Sequence, residues 1–220
     1  MSDYWICIGD IHDQVSRIKD IPGLADAQGV IISGDLTLAK GVPAASRVLN
    51  AVAAINPVIY AQIGNMDKPE VTGFLEEKGW NIHRTFAELT PTVAIMGVGT
   101  SSTTPFNTPS ETPDATLGEW LEETYQRTTQ YDTTVVVVHD PPYNTKCDDL
   151  GNGVHVGSHA VRAFIEKHQP KLVLCGHIHE ARSVDTIGES VVINTGPVAD
   201  GGYAKITLAE GSLKAELLTL

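Results

Sequence analysis

Short apolar blocks, each closed by a small or polar residue, recur along this chain. Tyr4 to Ile8, Gly29 to Ser33, Pro57 to Ile63, Thr133 to Val138 and Lys171 to Cys175 are apolar at nearly every position. Blocks of this length and composition read as strands buried on both faces. Between them the spacing changes. Pro43 to Ile55 repeats Ala44, Val48, Leu49, Val52 and Ile55 at helical intervals, with Pro43 suited to a first turn. Pro69 to Lys78, Thr116 to Gln130 and Ser158 to His168 are predicted as helices. A shorter helix is expected over Gln14 to Ile21, with Asp13 as its N-cap. Thr85 to Val98 reads as one or two strands turning at Pro91. Strand, helix and strand thus alternate, which predicts an α/β sheet covered by helices. After Cys175 the pattern becomes four short runs separated by glycine: Arg182 to Ile187, Ser190 to Asn194, Gly202 to Ala209 and Ser212 to Leu220. These predict an antiparallel meander.

The polar residues that close the buried blocks are of few kinds. Asp10 and His12 follow the first, Asp35 the second and Asn65 the third. His139 follows Val138, and His177 and His179 follow Cys175. In extended backbone, positions i and i+2 face the same side, so His177 and His179 are expected to point together. Ligands gather at the carboxyl ends of strands in open α/β sheets. Histidine and carboxylate without thiolate suit manganese, iron, zinc, cobalt or nickel. Two such cations a few ångströms apart require a bridging anion, and Asp35 can serve. A pair of this kind clamps phosphate oxygens and a bridging hydroxide for in-line displacement.

Composition narrows the partners. The 220 residues carry a formal net charge of -12, which disfavours nucleic acid as a partner, while a locally positive metal pair could still bind the phosphate of a small ester. No apolar run is long enough to span a bilayer, and the first residues do not read as a secretory signal. Three cysteines without metal-site spacing fit a reducing cytoplasm. One domain over residues 1–220 is the expectation from length. Oligomeric state is left open. The run from Gly99 to Pro113, rich in Ser, Thr and Pro, is expected to form a rim beside the site.

Five blocks then appear in order: Gly9-Asp10-Ile11-His12, Gly34-Asp35, Gly64-Asn65-Met66-Asp67, His139, and Gly176-His177-Ile178-His179. In this the sequence resembles the calcineurin-like metallophosphoesterases. The resemblance implies a four-layer αββα sandwich of two mixed sheets with two divalent metal ions between them, manganese favoured. It implies that Asp10, His12 and His179 hold one metal, that Asn65, His139 and His177 hold the other, and that Asp35 bridges. Asp35, Asn65 and His139 would then also act in catalysis. His139-Asp140-Pro141-Pro142 and Gly176 to Glu180 look most like a small-phosphodiesterase branch. The departure is Met66, where the family usually has a histidine that looks like the proton donor to the leaving oxygen. A thioether cannot donate, so activated diesters are expected to react better than alkyl monoesters. His155, in the loop before Ser158, is a candidate stand-in acid, and Asp67 and Asp140 are candidate carboxylates behind the ligands. A monoesterase of the same fold, and a metal-binding regulator with vestigial catalysis, are the alternatives.

Overall fold

A computed structural model describes residues 3–220. Its strands form two sheets. The first has five strands: β1 (Asp3–Ile8), β2 (Val30–Ile32), β3 (Ile59–Ala61), β10 (Gly202–Ala209) and β11 (Ser212–Thr219), in the order β11-β10-β1-β2-β3. The second has six: β4 (Thr85–Thr90), β5 (Val93–Val98), β6 (Thr133–Val138), β7 (Leu172–Cys175), β8 (Ser183–Ile187) and β9 (Ser190–Asn194), in the order β4-β5-β6-β7-β9-β8. Both are mixed. In the first, β1, β2 and β3 run parallel and β10 joins β1 antiparallel. In the second, β5, β6, β7 and β9 are parallel, with β4 and β8 antiparallel at the edges.

The alternation along each strand explains why the apolar blocks are continuous. On β1, Ile6 and Ile8 face outward to α1 (Val42–Ala53) and α2 (Glu70–Glu77), where Val48, Leu49, Val52, Val71 and Leu75 bury them. Trp5 and Cys7 face inward. On β6, Val136 and Val138 lie under α3 (Asp114–Gln126) and α4 (His159–His168) with Leu117, Leu121, Phe164 and Ile165. Val135 and Val137 meet Trp5, Ile31 and Ile206 in the layer between the sheets. Helices, sheet, sheet, helices: this is the expected αββα sandwich, and both faces of its central strands are dry.

Two expectations are corrected. Gln14 to Ile21 is not a helix; only Ile18–Asp20 forms a 3-10 turn. Asp13 cannot cap it, because its carboxylate is turned to the Leu38 amide (3.2 Å) and the Lys40 ammonium (2.9 Å). The tail is not one meander. β8 and β9 complete the second sheet, whereas β10 and β11 cross to the first, with Gly196 at φ 64° and Pro197 ending the β9 ladder. The Thr85 to Val98 region does divide at Pro91, into the β4–β5 hairpin.

Candidate metal centre and active site

The carboxyl ends of β1, β2, β3, β6 and β7 meet at one end of the sandwich, and all seven polar closers arrive there. His12 Nε2 lies 3.1 Å from His179 Nε2. Asp10 Oδ1 is 3.5 Å from His179 Nε2. On the other side, Asn65 Oδ1 stands 3.0 Å from His139 Nε2 and 2.9 Å from His177 Nδ1. Asp35 lies between these groups and divides its oxygens: Oδ2 is 3.6 Å from His12 Nε2, and Oδ1 is 3.4 Å from His139 Nε2.

The backbone is bent to achieve this. Asp10, His12, Asp35 and His177 all have positive φ, at 47°, 47°, 53° and 69°. Residues held in this sparsely populated region cluster at functional sites. The bend at His177 corrects the expectation of parallel histidines. The chain turns at His177 and enters a short 3-10 turn at His179, so the two rings reach opposite sides of Asp35 rather than one. Glycine precedes the donors for a steric reason. A Cβ on Gly64 would collide with the Asp35 carboxylate, and one on Gly176 with Asp10 Oδ2.

The protein fixes which atoms face inward. His139 Nδ1 donates to the Ser33 carbonyl at 3.2 Å, which turns Nε2 toward Asn65 and Asp35. The His177 amide donates to Asp10 Oδ1 at 3.1 Å and the Met66 amide to Asp35 Oδ1 at 2.8 Å. Asn65 is set by a residue that sequence reasoning missed. Its Nδ2 donates to Thr108 Oγ1 at 3.0 Å, and Thr108 Oγ1 in turn donates to Glu111 Oε1 at 2.8 Å. The amide oxygen is thereby turned toward His139 and His177. One threonine in a threonine-rich stretch carries no signal of this role.

The electrostatics call for positive charge. Burial raises the Asp10 carboxyl, but His179, His139 and His12 outweigh it and hold it at about 2. Burial pulls the His139 imidazolium down, yet Asp35 and Asp10 push it up to about 9. Asp10 Oδ2 and His12 Nδ1 are buried without a hydrogen-bond partner among the described residues. Oxygen and nitrogen donors, converging with unpaired lone pairs, fit divalent cations. Two sets of donors lie within 4.8 Å of one another: Asp10, His12 and His179, and Asp10, Asp35 and His139.

The secondary candidates separate. Asp67 is buried and accepts from the amides of Leu36 (3.0 Å), Thr37 (2.8 Å) and Gly64 (3.0 Å), tying the loop after β2 to the loop after β3. It supports Asp35 and Asn65 through their backbone. Burial and the Asp35 carboxylate push its pKa up against those donors. Asp140 accepts from the Ser102 amide at 2.7 Å and so anchors the 99–113 loop beside His139. His155 is held by Asp148, with Nδ1 2.8 Å from Oδ1, and does not line the cavity over the donors. His83 is half-buried, and its Nδ1 accepts from the Gly99 amide at 2.9 Å where that loop begins. Ser158 caps α4, its Oγ accepting from the Val161 amide at 3.0 Å.

A cavity of about 1190 Å³ opens over the donors, lined by His12, Asp35, His177 and His179 at its base and by residues 102–109 along one wall. The rim expectation for that loop therefore holds. Comparison with known proteins now decides the family: residues 6–181 match the profile of the calcineurin-like phosphoesterases. The chain belongs to that family. The chain is 32% identical over 204 residues, 86% of each chain, to the uncharacterized protein MJ1162 of Methanocaldococcus jannaschii. Its fold is similar to that of TT1561 of Thermus thermophilus, with a TM-score of 0.73 at 19% identity over 98% of this chain and 99% of the other. Membership supports a metal-dependent phosphoester hydrolase. Among the described residues, no helix is long and apolar enough to cross a membrane.

Proposed function

We propose that this calcineurin-like phosphoesterase is a two-metal phosphodiesterase acting on a small substrate. The observation that carries the reading is the divided Asp35 carboxylate, which faces His12 with one oxygen and His139 with the other. In this reading Asp10, His12 and His179 hold one divalent ion, Asn65, His139 and His177 hold the second, and Asp35 is shared. Such ions would neutralise phosphoryl charge and supply an activated water near neutral pH. Manganese is the favoured ion. The chain's own contribution is to fix the donor atoms, keep the His139 proton on Nδ1 through Ser33, and hold a largely buried floor beneath the phosphate. Three free, buried cysteines fit a cytoplasmic setting.

Met66 favours the diester. It lines the cavity as a half-buried thioether. The histidines lining the cavity, His12, His177 and His179, all belong to the donor cluster. With no separate imidazole to protonate the leaving oxygen, groups that depart as stable anions are favoured. The test is hydrolysis of an aryl phosphodiester and its monoester with added manganese. Diester turnover is expected to dominate; hydrolysis of the monoester alone overturns the assignment. Met66→His should raise turnover of poor leaving groups by about 10²-fold relative to good ones. An unchanged ratio removes Met66 from the argument. The same residue favours one other reading, a metal-binding regulator, which metal uptake without hydrolysis of any diester would support.

A further inference from the structure

The cavity over the donors has a second character that the reaction itself does not require. Among the described residues, seven large hydrophobic side chains are exposed, and four of them line this one cavity: Leu38, Phe106, Leu150 and Val156. They are between 41% and 79% exposed. Isolated exposed hydrophobics are ordinary, but a group rimming a polar floor marks a binding surface. Here the four come from three separate segments. Leu38 follows β2, Phe106 stands at the tip of the 99–113 loop, and Leu150 and Val156 belong to the loop before α4. Met66 and Pro105 extend the same apolar wall.

The loops that carry these side chains are fastened. Glu111 Oε1 accepts from Thr104 Oγ1 (2.6 Å), the Thr108 amide (2.8 Å) and Thr108 Oγ1 (2.8 Å). The Phe106 amide donates to Thr104 Oγ1 at 3.1 Å. On the facing side, the Leu150 amide donates to the Val154 carbonyl at 2.9 Å, and the Val156 amide to the Asp148 carbonyl at 3.3 Å. A preformed apolar wall costs little ordering on binding.

Charge completes the picture. Among the described residues, neither lysine nor arginine lines the cavity, and its acidic members are Asp35 and Glu180. A substituent bearing further phosphates would find no cationic side chain there. We infer that the non-reacting ester group of the substrate is an uncharged apolar group, alkyl or aryl, seated against Phe106, Leu38, Leu150 and Val156. This rests on the phosphodiesterase reading and specifies its substrate class: a phosphodiester with one hydrocarbon substituent.

The test uses the full chain loaded with manganese and a series of p-nitrophenyl phosphodiesters. The leaving group is constant, and the second substituent is methyl, hexyl, phenyl or a 5′-linked thymidine. The hexyl or phenyl ester is expected to have a KM at least about 10-fold below that of the methyl ester, since each well-buried methylene is worth up to about fourfold. Whichever of the two leads identifies the group as alkyl or aryl. The double variant F106S/L150S should shrink the ratio to within about threefold of unity. Both positions are exposed, so the fold is retained. A flat series, or a preference for the thymidine ester, overturns the inference while leaving the phosphodiesterase reading intact. If no diester is hydrolysed, that reading fails instead. Calorimetry with hexylphosphonate and methylphosphonate then tests the wall directly, and equal affinities count against it.

Discussion

The floor and the rim of the cavity are built on opposite principles. The floor donors project from strand ends, and most are buried, held by named hydrogen bonds and bent into unusual backbone conformations. The rim consists of loop side chains that are exposed and apolar. In the proposed function, floor residues answer to the chemistry of phosphate and metal, which admits few substitutes, and rim residues answer to whatever is attached to the phosphate. On that reading the contrast teaches that the reaction class and the substrate are recorded in different parts of this molecule, joined at Asn65 and Thr108.

Three experiments probe that division. The largest effect is expected at the floor. Asp35→Asn keeps the shape but removes the shared negative charge, and should cut manganese affinity and diester turnover by more than about 100-fold. Metal content of the purified variant and calorimetric titration check this; near-parental binding would detach Asp35 from the metal pair. An intermediate effect is expected at the joint. Thr108→Val removes the acceptor that orients the Asn65 amide and should weaken metal binding by roughly 10-fold. Thr108→Ser should restore it. If both variants behave alike, the hydroxyl does not orient Asn65.

The smallest effect lies where the loop leaves the sheet. Burial, aided by Arg84, lowers the His83 pKa to about 4, and its Nδ1 must stay unprotonated to accept from Gly99. The unfolded chain takes up a proton near pH 6.5 that the folded chain refuses until about pH 4. Stability from this group is therefore full above about 6.5 and declines as pH falls through that window. The loss is at most about 3 kcal/mol. Urea unfolding of the parent and of His83→Gln at about pH 7 and about pH 4.5 measures it. An equally steep decline in both proteins would assign the pH dependence elsewhere.

Much of the floor was legible in the sequence, because each donor follows an apolar run within a few residues and local order records that placement. The placement of Asp10, Asp35 and Asn65 was legible in this way, whereas the roles expected of them came with the family resemblance. What could not be read was whatever depends on distant partners. The tail runs give no sign of which sheet they join, since β10 pairs with β1 about two hundred residues earlier in sequence. Asp13 reads as a cap because its real partners, Leu38 and Lys40, lie on another loop. His155 reads as a possible acid because Asp148, which holds it, gives no sequence signal of that contact. Thr108 and Glu111 are invisible for the same reason.

The strand that opens the chain is paired on one side with β2 and on the other with β10, and Gly9 bridges to Pro197 next to Asp10. Asp10 and His12 thus gain their full surroundings only when a hairpin about two hundred residues further along the sequence has joined β1. Until β10 is made, β1 has a bare edge, open to pairing with another chain. Closing this span demands one of the longest loop closures the chain can make, which slows folding. The surroundings of Asp10 are complete only once β1 and the β10–β11 hairpin share a sheet.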